Sequence, residues 1–408
     1  MAQKRRYRGV RKAALIILAA LCWLSATGQE VKVDPDSSVI QFPGSRVGIE
    51  RFASKLKACR KSSSSIVNIW HIGGSHVQAG WFTSRMRHNF DSLGHYPAGG
   101  RAYIFPYPLA RTNYDKSYKS GYTGEWTGSM SSNPNRSMPV QPGFGVCGIA
   151  AYTSDTTASF GVRIPGFFSR IHIMGSGSSE DVLPYITADD YTVRCRRDTL
   201  LSGFVADLPF ETDTVLVEPR LKDGEHFVVT GILPEDNGCG VRYVSTGVNG
   251  ARTNTWTSRC PEFEREASQI HPDLVILALG INDSACPPEQ FNPERFKANY
   301  RKLLDIILSQ APDCAVLFIT NNDSWRWSRR RMVHNDNGSA VRKAMFELAS
   351  EYDAGVWDLF SLMGGNGSAD AWRGAGLMKN DRLHFTREGY ELLGDLLYTA
   401  LMRECETR

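Results

Sequence analysis

The sequence predicts an α/β protein whose parallel sheet is interrupted by a long β-rich segment. Two compositional regimes lead to that class. In residues 60–95 and 245–408, short apolar runs alternate with amphipathic stretches, the rhythm of βα units. Between about 100 and 243, β-prone runs are separated by Gly, Pro, Ser and Asp, with no amphipathic helix among them. The second regime reads as a β-sandwich of jelly-roll type inserted into the first. The expected division is a leader over 1–28, a discontinuous α/β domain over 29–100 and 244–408, and an insert over 101–243. Residues 101–135 are either part of that sandwich or a long loop.

The strand candidates of the α/β part are Ile66 to Ile72, Leu274 to Leu279, Ala315 to Thr320 and Gly355 to Leu359. Each is nearly continuous in apolar residues, as strands covered on both faces of a parallel sheet must be. Asn292-Pro293 supplies an N-cap and a proline for the first helical position. Phe296, Tyr300, Leu303, Leu304, Ile307 and Leu308 then recur at helical spacing. Thr386 caps a last helix that turns Tyr390, Leu393, Leu397 and Leu401 inward. In the insert, the candidate strands are Ala158 to Ile164, Arg170 to Met174, Tyr191 to Cys195, Asp213 to Val217 and His226 to Leu233.

The N-terminus carries an export signal. Lys4, Arg5, Arg6, Arg8, Arg11 and Lys12 precede an apolar run from Ala13 to Leu24 that is too short for a comfortable membrane span. Small residues at Ala26-Thr27-Gly28 suit a cut before Gln29. Leu21 before Cys22 argues against a lipid anchor. The mature chain is therefore expected in a periplasmic or extracellular compartment, with no stable membrane span. Without the six leader cations, the remaining basic residues fall below the 43 acidic ones, so the net charge of +4 is a targeting feature and not a nucleic-acid footprint. The run Arg326 to Arg331 reads as a solvated face or local ion pairs. Eight cysteines remain beyond the leader, and an oxidising compartment would permit disulfides among them. No Cys or His spacing suits a metal, and neither metal nor cofactor is expected.

The chemistry lies in loops that follow strands. Residues 71–80, HIGGSHVQAG, leave the first strand through Gly73 and Gly74 and present Ser75. Ser245 to Ala251 contains Gly250 after a second apolar run, Val241 to Val244. Gly280-Ile281-Asn282-Asp283 follows the strand at 274–279, and Asp381-Arg382-Leu383-His384 precedes the last helix. Taken singly, each is an ordinary turn or cap. Strand ends of a parallel sheet converge on one edge, so together they would gather a hydroxyl, a side-chain amide, free backbone N–H groups and a histidine with an acid beside it. That set suits acyl transfer: Ser75 as nucleophile, His384 as its base, Asp381 to orient the imidazole, and Ser75 N–H, Gly250 N–H and the Asn282 amide as oxyanion donors.

In this order the blocks resemble those of the SGNH (GDSL-type) hydrolases, over the α/β part but not the insert. The resemblance implies a flavodoxin-like three-layer fold, a Ser75–His384–Asp381 triad and an oxyanion hole of Ser75, Gly250 and Asn282. Gly73-Gly74-Ser75 departs from the family's usual GDS, and Gly247 competes with Gly250 for the second block. His76, Gln78 and Asn321 either touch substrate or pack and cap. Trp325, Trp327 and Trp372 either form a sugar platform or are buried. Export and the β-rich insert between the first two blocks look like the peptidoglycan O-acetylesterase branch, in which the insert resembles a carbohydrate-binding module. A carbohydrate polymer is thus the expected partner. An acetylesterase for plant or host polysaccharide, or a non-catalytic glycan-binding protein, are the competing readings.

Overall fold

The computed structural model describes residues 31–406 apart from 32, 62–63, 95, 97–98, 115, 134–137 and 236–237. The leader at 1–28 lies outside the described residues. Among them, no helix is long and apolar enough to cross a membrane.

A six-stranded sheet forms the centre of the α/β part. Its order is Ile40–Gln41, Gly355–Trp357, Ala315–Ile319, Leu274–Ala278, Ile66–Gly73 and Gly240–Gly247. The five longer-range partners run parallel, and numbered along the chain they lie in the order 2-1-3-4-5, the flavodoxin arrangement. The two-residue strand Ile40–Gln41, which periodicity could not signal, pairs antiparallel at the edge and makes the sheet mixed. The other edge strand begins at Gly240, so the α/β sheet reaches back into the stretch assigned to the insert.

Continuous apolar runs become strands here because both faces are covered. Leu274 and Ile276 enter one core with Phe52, Met86 and Leu397, from helices Val47–Cys59, Trp81–Ser92 and Arg387–Glu406. Val275 and Leu277, offset by one residue and hence on the other face, enter a second core with Leu303 and Leu348, from Pro293–Gln310 and Gly338–Glu351. The helix signals hold. Asn292 accepts from Arg295 N at 2.8 Å with Pro293 at the first position, and Thr386 Oγ1 accepts from Gly389 N at 3.2 Å.

Residues 119–235 form one nine-stranded antiparallel sheet with no helix among the described residues. The segments 158–164 and 170–174, expected as two strands, are one 19-residue strand, Ser159–Gly177. It pairs with the 16-residue strand Gly203–Glu218 through register shifts between Asp207 and Thr214. Its first half also pairs with Lys119–Thr123 and its second half with Phe227–Glu235. Bulges of this kind let a long strand bend and change neighbours. The hydrophobic core of this sheet is continuous with the second α/β core: Phe160, Ile171 and Phe204 belong to the same cluster as Trp70, Val275 and Trp256.

Candidate active site

Ser75 stands where the first parallel strand ends. The turn is tight because Gly73 lacks a side chain: a Cβ there would lie 2.3 Å from Val77 Cγ2. The Gly74 carbonyl then accepts from Val77 N and Gln78 N at 3.1 and 3.0 Å, opening the short helix Ser75–Gln78. Gly74 itself has φ −89°, and a Cβ on it would sit 3.4 Å from Asn282 Nδ2. Backbone strain therefore does not impose glycine at the position where GDS carries aspartate.

Ser75 Oγ lies 2.8 Å from His384 Nε2, and His384 Nδ1 lies 2.8 Å from Asp381 Oδ2. The other Asp381 oxygen accepts from Leu383 N and His384 N, both at 3.0 Å. Burial alone would raise the Asp381 pKa. The hydrogen bonds from the His384 ring and from the two backbone N–H groups overcome that and hold the carboxyl well below its usual range. An ionised Asp381 fixes the proton of His384 on Nδ1 and leaves Nε2 free to accept from the serine.

The loops that carry Gly250 and Asn282 converge on the same spot: a Cβ on Gly74 would lie 3.4 Å from Asn282 Nδ2 and 3.8 Å from Ala251 O. Ala251 N donates to Val248 O at 2.9 Å, closing a turn in which Gly250 has φ +78°. Asn282 Nδ2 donates to Ala251 O at 2.9 Å, which spends one of its two N–H bonds and orients the other. Among the described residues, neither Ser75 N–H nor Gly250 N–H donates to a protein acceptor. Gly247 has a different role: it sits in the strand opposite Gly73, and a Cβ on it would collide with Gln78 N at 2.3 Å. Gly280, at φ +127°, is likewise needed to bring Asn282 round, because a Cβ there would lie 3.0 Å from Phe296.

The remaining candidates divide. Gln78 is buried, accepts from Asn249 N at 2.6 Å and donates to Asn113 O at 2.8 Å, so it clamps the loop that carries Gly250. His76 is also turned inward. Its Nδ1 meets Tyr390 OH at 2.7 Å, and burial, followed by the repulsion of His384, pushes its pKa down to about 3. The Asn321 amide donates to Ser284 Oγ at 3.4 Å. Trp372 is fully buried, with its indole N–H donating to Met363 O, and cannot be a sugar platform; Trp325 is half-buried and Trp327 is 68% exposed.

Sequence reasoning missed what holds the loops. Asn322 Nδ2 donates to Leu383 O at 3.1 Å and Trp325 N to Arg382 O at 3.0 Å, which steadies the turn carrying His384. Asp283 accepts from Thr253 Oγ1 at 2.6 Å and ties the second block to the third. Two of these contacts had a signal: the aspartate that ends Gly280-Ile281-Asn282-Asp283, and Asn322 in the Asn321-Asn322-Asp323 run that directly follows the strand at 315–320. A small cavity of about 30 Å³ is lined by His76, Ile281 and Phe385, the chain neighbours of Ser75, Asn282 and His384. A larger one, about 590 Å³, lies between residues 129–144 and the helix Thr255–Arg259 and touches none of the residues above. All eight cysteines among the described residues are free thiols, so no disulfide braces the site.

Residues 220–392 match the GDSL-like lipase/acylhydrolase family. The match takes in Gly250, Asn282, Asp381 and His384 and begins beyond Ser75, which a long intervening segment separates from the rest. No curated protein matches the sequence. Among solved structures, a peptidoglycan O-acetylesterase superposes with a TM-score of 0.73 over 90% of this chain and 99% of its own, at 18% identity. That likeness establishes a shared fold. An acetyl xylan esterase (TM-score 0.32, 18% identity, 39% of this chain and 81% of its own) is similar over a smaller part. So is a GDSL-like lipase from Bacteroides thetaiotaomicron (TM-score 0.31, 17% identity, 40% and 76%). The family match means that residues 220–392 of this chain carry a GDSL-like lipase/acylhydrolase domain and that the chain is a carboxylic ester hydrolase.

Proposed function

We propose that the protein is an exported serine esterase that removes short acyl groups, acetyl above all, from a carbohydrate polymer, with O-acetylated peptidoglycan as the foremost substrate. The observation that carries this reading is the unbroken hydrogen-bonded line from Ser75 Oγ through His384 to Asp381, with Asn282 beside it.

Ser75 Oγ attacks the ester carbonyl while His384 Nε2 takes its proton. The carbonyl oxygen becomes an oxyanion held by Ser75 N–H, Gly250 N–H and Asn282 Nδ2. Collapse breaks the bond to the sugar oxygen, which leaves with the proton from His384 and frees an acyl-Ser75. Water then gives a proton to His384 and its oxygen to the acyl carbon, and the carboxylic acid departs as Ser75 recovers its proton.

The antiparallel unit, which we read as a jelly-roll-like module inserted before the α/β strand Gly240–Gly247, serves polymer binding. Support for a wall substrate comes from the likeness to a peptidoglycan O-acetylesterase, which extends over that unit as well as the α/β part. The test is acetate release by the mature protein from O-acetylated peptidoglycan and from acetylated xylan, with Ser75→Ala alongside. Ser75-dependent release from peptidoglycan is the expected result. Release mainly from xylan would keep the chemistry and change the substrate; release by Ser75→Ala equal to that of the parent would overturn the mechanism.

A further inference from the structure

Beside the catalytic turn projects a two-stranded hairpin, Trp325–Ser328 paired with Arg331–His334. The pairing places Trp325, Trp327, Met332 and His334 on one face. That face starts at the catalytic loop. Trp325 N donates to Arg382 O, and the Arg382 guanidinium lies 4.5 Å from the Trp325 ring, two residues before His384. Trp327 continues the face outward by about 6.6 Å, two strand residues, and is the most exposed of the large hydrophobic side chains among the described residues.

The other features of the hairpin are cationic. Arg329 and Arg330 occupy the two central turn positions with φ of 45° and 63°, a turn that ordinarily takes Asn-Gly. Left-handed backbone is costly for non-glycine residues and is retained where the side chains have a use. Among the described residues, none of Arg326, Arg329, Arg330 and Arg331 pairs with a carboxylate, and Arg326 Nε is buried without an acceptor. Arg326 and Arg331 lie on the face of the hairpin opposite Trp327, whereas Arg329 and Arg330 occupy the tip between the two faces.

We infer that this hairpin is a substrate-gripping arm for a carboxylate-bearing glycan: Trp327 stacks on a sugar ring while the turn arginines Arg329 and Arg330, at the tip of the same hairpin, pair with carboxylates along the strand. The inference rests on the esterase reading for its place beside Ser75, and it narrows the polymer to an anionic one. An exposed indole beside unpaired guanidinium groups matches a ligand with both flat apolar faces and negative charge.

Binding is tested in the Ser75→Ala background, where turnover cannot interfere, against polygalacturonate (a carboxylate on every sugar), neutral xylan, and vesicles of anionic phospholipid. The expected result is salt-sensitive binding to polygalacturonate above xylan and vesicles. It should weaken about tenfold with Trp327→Ala and similarly with R329Q/R330Q, and should largely return with R329K/R330K. Unfolding midpoints equal to the parent's would show that the surface changes leave the fold intact. Equal binding to xylan, preference for vesicles, or unaltered binding by the hairpin variants would overturn the inference. Absence of acetate release by the unsubstituted protein from every ester would instead refute the esterase reading and leave the binding result standing.

Discussion

His384 at the edge of the parallel sheet and His172 in the antiparallel sheet are both hydrogen-bonded to aspartate, yet they are built for different ends. His172 is buried between Asp198 and Glu235, with a carboxylate oxygen 2.5 Å from Nδ1 and another carboxylate on Nε2. Desolvation would lower its pKa, but the two acids prevail and raise it. Both ring nitrogens are thus committed, and the group serves as a charged clamp between strands. His384 has one carboxylate and, on the other nitrogen, a hydroxyl. A histidine next to an acid is common; what makes one a base is a second nitrogen left for a proton to arrive on.

Substitutions can break that contrast. Ser75→Ala removes the group that fills the free nitrogen and should cost on the order of 10⁶ in turnover of an aryl acetate, while the protein still folds. Asp381→Asn keeps the hydrogen-bond geometry but permits the wrong tautomer, with an expected loss of roughly 10⁴ in kcat. Asn282→Ala removes one oxyanion donor and should cost about 10²–10³ in kcat with little change in KM. All three are read by steady-state kinetics, and a small effect of Asp381→Asn would show that His384 does not depend on its acid.

His172→Gln sharpens the comparison from the other side. It leaves Asp198 buried without a cation, so unfolding should be easier by about 3–5 kcal/mol near pH 6, with the turnover of folded protein unchanged. Because the folded pKa of His172 is raised, its stabilising contribution is full below the unfolded value of about 6.5 and is lost as pH rises through the folded one. The gap in unfolding midpoint between parent and variant should therefore narrow from pH 6 to pH 9. A gap that does not change with pH would mean that the clamp works through packing and not charge.

Several positions in the site follow short motifs, which is why so much of it is legible in the chain. Gly73 and Gly280 are dictated by close approach and by a left-handed turn, and Asp381 reaches its histidine from three residues away. Gln78, by contrast, looks like a candidate contact and proves to be a clamp, because its partners Asn249 and Asn113 are remote in sequence. The same distance hides the support given to the His384 turn by Trp325. The Trp residues show it most simply: three indoles of equal promise divide into one in the core, one under Arg382 and one in solvent.

The amino-acid sequence by itself determined the alternation of strands and helices, the caps of the helices at 293 and 387, and the residues that meet at the sheet edge. Those depend on periodicity and on short motifs, and periodicity is set by the geometry of a few consecutive residues. Only the tertiary structure decided that the edge strand at 40–41 pairs, that 159–177 is one bent strand, and that the antiparallel sheet shares its core with one face of the α/β sheet. It alone also placed the arginine-rich hairpin beside His384. Such outcomes are settled by which distant surfaces bury one another, and no window of neighbouring residues contains that information.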